Sequence, residues 1–244
     1  MSSNPILIIP GEQKSIFFEI FFKSIKSRKY RSPLILICNK KILENEMKVN
    51  KFKKSIDLIK LSEISLRKFS KNKIYLIDIQ NNKSNFYIKE CFETAFRLIK
   101  SGFTNKMING PINKSKTLKQ KYLGVTEYTA QSFKKKKFAM LIYNKNLSVC
   151  PITTHLPLKL VTKKITKKLI KEKIIIVNNF FKKTLGYKPR IGVVGLNPHC
   201  ESILNFNEDK KIISPVIKSL KSSINIRGPY PSDTIFLKNN RKKF

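Results

Sequence analysis

The chain has 244 residues, 41% of them hydrophobic, enough for one large α/β domain or two small ones with a sizeable core. That composition excludes collagen-like, disulfide-framework and fully disordered classes, and no apolar run reaches the ~18 residues a membrane span needs. The formal net charge is +36, yet all but seven of the 51 basic residues are Lys, so the Arg forks of nucleic-acid readers are scarce.

Short apolar segments alternate with helical ones, the pattern of a largely parallel sheet covered by helices. Strands are expected at 6–9, 34–38, 56–61, 74–79, 106–109, 138–143, 147–153 and 190–196, and helices at 15–27, 86–100, 166–184 and 208–221. The third helix repeats Leu169, Ile170, Ile174, Val177, Phe180 and Phe181 at helical spacing, with Gly186 as its stop. A composition shift at 101–104 predicts a hinge between a first lobe, 1–103, and a second, 104–244. The Lys run at 134–137 precedes an expected strand and has no interleaved aromatics, so it reads as a solvated face. The cationic surface then steers an anionic substrate at most, with no specific nucleic-acid partner. Cys38, Cys91, Cys150 and Cys200 lack metal or redox spacing and read as free thiols. With no signal-peptide layout at the start, a soluble cytoplasmic protein is expected.

The chain holds two histidines, at comparable places: His155 after the strand expected at 147–153, and His199 after the one expected at 190–196. Ligands of open α/β sheets sit off the carboxyl ends of strands, so the two imidazoles can converge on a divalent metal; equally, both can be water-satisfied loop residues. Asp233 follows a Pro-rich turn, where a carboxylate can bind metal, orient a histidine, take a proton or merely cap a turn. The Gly110-Pro111 turn presents Asn113 and Lys114 at its lip, and a Lys there can pair with phosphate or carboxylate. No GxGxxG or GxxxxGK[ST] occurs, so a nicotinamide cofactor, if used, must bind by another architecture.

In order, Asn109-Gly110-Pro111-Ile112-Asn113-Lys114, Gly124-Val125-Thr126-Glu127, Thr153-Thr154-His155-Leu156-Pro157-Leu158, Gly195-Leu196-Asn197-Pro198-His199 and Gly228-Pro229-Tyr230-Pro231-Ser232-Asp233-Thr234-Ile235-Phe236 form a collinear set. The set resembles the motifs of the 4-hydroxythreonine-4-phosphate dehydrogenase family of vitamin B6 (pyridoxal phosphate) biosynthesis. The resemblance implies an isocitrate/isopropylmalate-dehydrogenase-like two-lobed α/β/α fold and a homodimer with its site at the subunit interface. It implies NAD or NADP and a divalent metal (Zn, Mg or Co) held by three histidines, two of which match His155 and His199. The implied reaction oxidises the carbon-3 hydroxyl of a phosphorylated amino acid, after which the β-keto acid loses carbon dioxide. Asp233 and Lys114 are then the catalytic residues, with Thr126 and Asn113 binding substrate.

Departures from the pattern shape the expectations. The family's substrate-touching His-Thr pair reads Val125-Thr126, the N-terminal Gly-rich motif keeps little beyond Gly11 and Glu19, and Cys200-Glu201-Ser202 replaces a Gly-rich continuation. The chain stops at Phe244, about where the family continues to its third metal histidine and further substrate residues. The fold is thus expected to be incomplete at its C-terminus, and the 244-residue chain to bind metal poorly and turn over no substrate. The alternatives are a dehydrogenase of a four-carbon sugar-acid phosphate (threonate or erythronate 4-phosphate) and an inactive truncated remnant with a basic binding surface.

Overall fold

A computed structural model describes residues 4–13, 15–27, 30–71, 73–80, 84–118, 122, 124–202 and 205–244. Its backbone divides into two compact units, Met1–Lys134 and Lys135–Phe244.

The first unit runs β1 (Ile6–Ile9), α1 (Phe17–Ser27), β2 (Leu34–Cys38), α2 (Lys40–Val49), β3 (Ile56–Leu58), β4 (Ile74–Asp78), α3 (Ser84–Lys100), β5 (Met107–Asn109), α4 (Lys114–Leu118) and α5 (Val125–Ser132). Its five strands pair in parallel in the order β3-β4-β2-β1-β5. Central parallel strands are covered on both faces and so read as unbroken apolar runs, and every residue of β2 is buried. The covering helices bury one face each: Phe18, Phe21, Phe22 and Ile25 of α1, and Tyr87, Ile88, Cys91, Phe92, Ala95 and Phe96 of α3. Asn39 starts α2 by accepting from the Ile42 amide, and its Nδ2 donates to the Ile79 carbonyl at 2.9 Å, which ties the end of β2 to the residue after β4. Burial pushes the Cys91 thiol up to about 12 and Cys38 well above the usual thiol range, so both are inert core groups.

The second unit contains α6 (Leu158–Lys164), α7 (Lys167–Phe180), β6 (Ile191–Val194), α8 (Ser214–Leu220), β7 (Ile226–Tyr230) and α9 (Lys238–Arg241). A wide π turn, Phe181–Leu185, extends α7 until Gly186 ends it, and another, Asp209–Ile213, leads into α8. Parallel strands β6 and β7 sit over a core of Ile170, Ile174, Ile213, Val216, Ile217 and Leu220.

Three expectations change. Residues 138–143 and 147–153 form no strands; one antiparallel bridge, Ile142 to Val149, joins them. An isolated hairpin lacks a sheet to cover its side chains, and Ile142 and Tyr143 stay 57% and 52% exposed. The Gly228-Pro229-Tyr230 segment, read as a turn, is the end of β7. Finally, the observed units part after Lys134, whereas the expected hinge at 101–104 falls inside the first unit. The cause is the pairing of β5 with β1 and the packing of Tyr128 in α5 against Phe92 and Phe96, each at 5.5 Å between ring centroids.

Phe92, fully buried, is thus the joint between α3 and α5. Phe92→Ala should destabilise the first unit by about 3–5 kcal/mol, read as a shift of its urea midpoint at unchanged slope.

Candidate active site

In the first unit, two loops leave the carboxyl ends of neighbouring strands β1 and β5. The Gly110 amide donates to the Ile9 carbonyl at 2.8 Å, which carries the pairing one step past the end of β5. The approach is so close that a Cβ on Gly110 would stand 1.9 Å from the Pro10 carbonyl oxygen, so only glycine fits. Glu12 then fastens the loops together: its amide donates to the Pro111 carbonyl at 2.9 Å and its Oε1 accepts from the Asn113 amide at 2.9 Å. Asn113 is exposed, and its Oδ1 accepts from the Ser115 hydroxyl at 2.7 Å. Lys114 is the first residue of α4; its side chain lies outside the described part of the structure. Thr126 sits half-buried in the first turn of α5, while Val125 packs against the hydrophobic core.

In the second unit, the loops after β6 and β7 emerge side by side. The Gly195 amide donates to the Tyr230 carbonyl at 2.8 Å, so Leu196–Asn197 and Pro231–Ser232 continue from adjacent strand ends. His199 and Cys200 follow in a tight turn, Pro198–Cys200, with φ of 54° and 62°. His155, at φ 55°, also lies in the left-handed region, which non-glycine residues rarely occupy and which recurs at functional sites. Both imidazoles and Asp233 are exposed. His155 precedes α6 within an irregular segment, so the strand expected before it does not position it.

Asp209 is the residue that sequence reasoning passed over. It is 1% exposed and accepts from the amides of Leu196 at 2.7 Å and Asn197 at 3.1 Å, and from Asn197 Nδ2 at 2.9 Å. Its neighbour Glu208 accepts from the same Nδ2 at 3.0 Å. A signal was present: Glu208-Asp209 is the one adjacent acidic pair in a chain with 15 acidic residues.

Burial raises the Cys200 thiol, and the nearby negative charges of Asp209 and Asp233 raise it further. Asp233 is therefore electrostatically coupled to the turn that carries His199. Among the described residues, no group of three or more His, Cys, Asp or Glu gathers closely enough to hold a metal ion. The donors on hand fit a divalent ion in part: His155 and His199 are exposed imidazoles, and they do not by themselves complete a three-histidine centre.

Comparison with known proteins gives a consistent result. The family described as "Pyridoxal phosphate biosynthetic protein PdxA" matches residues 29–244. A 4-hydroxythreonine-4-phosphate dehydrogenase of Sulfurihydrogenibium is 33% identical over 95% of this chain and 75% of its own length. A D-threonate 4-phosphate dehydrogenase of Pectobacterium atrosepticum is 32% identical over 60% of this chain and 46% of its own. Among solved structures, 4-hydroxythreonine-4-phosphate dehydrogenase from Klebsiella pneumoniae superposes with a TM-score of 0.79 at 25% identity, covering 99% of this chain and 79% of that one.

The charge coupling around Cys200 is open to measurement. A raised thiol holds its proton, so at pH 8 Cys200 should react with Ellman's reagent more slowly than a free thiol. Asp233→Asn removes one of the charges that raise it and should speed that labelling, mapped by mass spectrometry, while Cys38 and Cys91 react only after unfolding.

Proposed function

The chain belongs to the PdxA family of 4-hydroxythreonine-4-phosphate dehydrogenases, oxidoreductases of pyridoxal phosphate biosynthesis with an isocitrate/isopropylmalate-dehydrogenase-like α/β fold, and from that membership we propose how its own residues serve the reaction. Asp233 takes the proton of the carbon-3 hydroxyl of 4-hydroxythreonine 4-phosphate, and NAD or NADP, when bound, would supply the acceptor for the hydride from that carbon. The resulting β-keto acid releases carbon dioxide. Lys114 pairs with an anionic group of the substrate, and Asn113 and Thr126 hydrogen-bond to it. His155 and His199 would hold a divalent metal (Zn, Mg or Co), which when bound would supply Lewis-acid positive charge to the substrate. What supports this reading is one observation: the turn bearing His199 and the turn bearing Asp233 leave neighbouring parallel strands at the same end.

The protein works in this reading as a homodimer in the cytoplasm. Its cationic surface steers an anionic substrate, and weak, salt-sensitive contact is all it offers nucleic acid. Among the described residues no helix is long and apolar enough to cross a membrane.

A second reading has a specific observation behind it. Val125 packs against the core where the family pattern has a histidine, which removes a polar contact, and the Pectobacterium relative is named for D-threonate 4-phosphate. Substrate choice then shifts toward a four-carbon sugar-acid phosphate.

The protein expressed from its native gene should reduce NAD or NADP with 4-hydroxythreonine 4-phosphate in the presence of a divalent cation, with Asp233→Asn lowering kcat by about 10²–10⁴-fold. His155→Ala and His199→Ala should each weaken Co(II) binding by roughly tenfold or more in calorimetry. Turnover confined to D-threonate 4-phosphate would establish the second reading instead.

A further inference from the structure

We infer that Asp209 is the positioning residue for His199, holding the loop from which that imidazole projects; its use in function rests on the reading of His199 as a metal donor. In a chain with 51 basic residues, the structure buries this carboxylate to 1% exposure, and among the described residues no ion pair forms with it. Burying a carboxylate without a cation is costly unless strong donors replace its water. Here the donors are the amides of Leu196 and Asn197 and the Asn197 side chain. They belong to the two residues immediately before Pro198, which has no amide hydrogen, and His199 follows it. Asp209 thereby fixes the last backbone donors ahead of the histidine.

The rest of the turn is closed from the other side. The Cys200 amide donates to the Asn197 carbonyl at 3.0 Å and the Glu201 amide to the Pro198 carbonyl at 3.0 Å. His199 is thus held at φ 54° between a closed turn and a clamped strand extension, the over-determination that a left-handed non-glycine residue requires. The clamp itself is anchored. The Ser214 hydroxyl donates to the Asp209 carbonyl at 2.8 Å, and Ile213, Val216 and Ile217 fix the same helical segment in the second core. Gly195 permits the approach, because a Cβ there would lie 2.9 Å from Asp209 Oδ1 and 2.6 Å from Cys200 Sγ.

Because the chain has only two histidines, their imidazole signals in ¹H–¹³C spectra of the whole protein report the two loops separately. In Asp209→Asn an amide NH₂ must face backbone donors, so the His199 signal should move or broaden while the His155 signal stays, and Asp209→Glu should restore the His199 signal in large part. Co(II) affinity in Asp209→Asn should fall about tenfold or more. A folded Asp209→Asn protein whose His199 signal superimposes on the wild type would overturn the inference. If Asp209→Asn does not fold, two measurements still decide it: Gly195→Ala should shift the same signal, and the wild-type amides of Leu196 and Asn197 should be protected from hydrogen exchange. Free exchange at those amides, or an unmoved signal in Gly195→Ala, would overturn it. If Co(II) perturbs neither histidine of the wild type, the metal reading fails, and the His199 shift in Asp209→Asn still decides whether the clamp exists.

Discussion

One backbone hydrogen bond beyond each parallel strand pair sets the geometry on which the candidate site depends. Gly110 to Ile9 in the first unit and Gly195 to Tyr230 in the second, each 2.8 Å, extend pairing into the residues that follow the strands. Parallel neighbours run in the same direction, so the loops after them leave from the same edge of the sheet. An antiparallel pair would send the corresponding loops to opposite ends. The motif loops of each unit are therefore neighbours because of strand direction, whatever side chains they carry.

Carboxylates then hold those loops. Glu12 accepts the Asn113 amide in the first unit, Asp209 accepts two amides in the second, and Asp78 accepts the Lys40 amide at 2.8 Å where β2 gives way to α2. With 15 acidic residues against 51 basic ones, carboxylates are scarce, and these three serve backbone N–H groups at strand ends. Charged acceptors make the stronger class of hydrogen bond, so a few suffice to order loops on an otherwise cationic, solvated surface. The excess Lys has little part in this: the ion pairs it forms are mainly exposed, such as Lys40 with Glu44 at 3.7 Å, and contribute little to stability.

Much of the sheet was legible in the sequence for a simple reason. A strand buried on both faces must be apolar throughout, and 6–9, 34–38 and 74–77 announce themselves that way. The same rule misleads at 138–153, where apolar residues occur but no sheet receives them. It also misses β7, because Gly228 and Pro229 carry turn chemistry and only pairing with β6 makes the segment a strand. Of the candidate site, the motif loops were legible from resemblance, but the hydrogen bonds that hold the loop before His199 were not. Asp209 and Leu196 are 13 positions apart in the chain and meet only because α8 packs on the β6–β7 core.

By itself the sequence determined the α/β class, the apolar strands and main helices of the two cores, and the order of the loops that carry His155, His199, Asp233, Asn113 and Thr126. Each of these follows from local periodicity or a contiguous motif. Only the tertiary structure decided that β5 and α5 pack with the first unit, that residues 228–230 pair as a strand, and that a buried Asp209 clamps the His199 loop. Those outcomes rest on hydrogen bonds and packing between segments distant in sequence, whose free energy depends on which partner arrives and on how completely water is excluded, and neither is written in the local pattern.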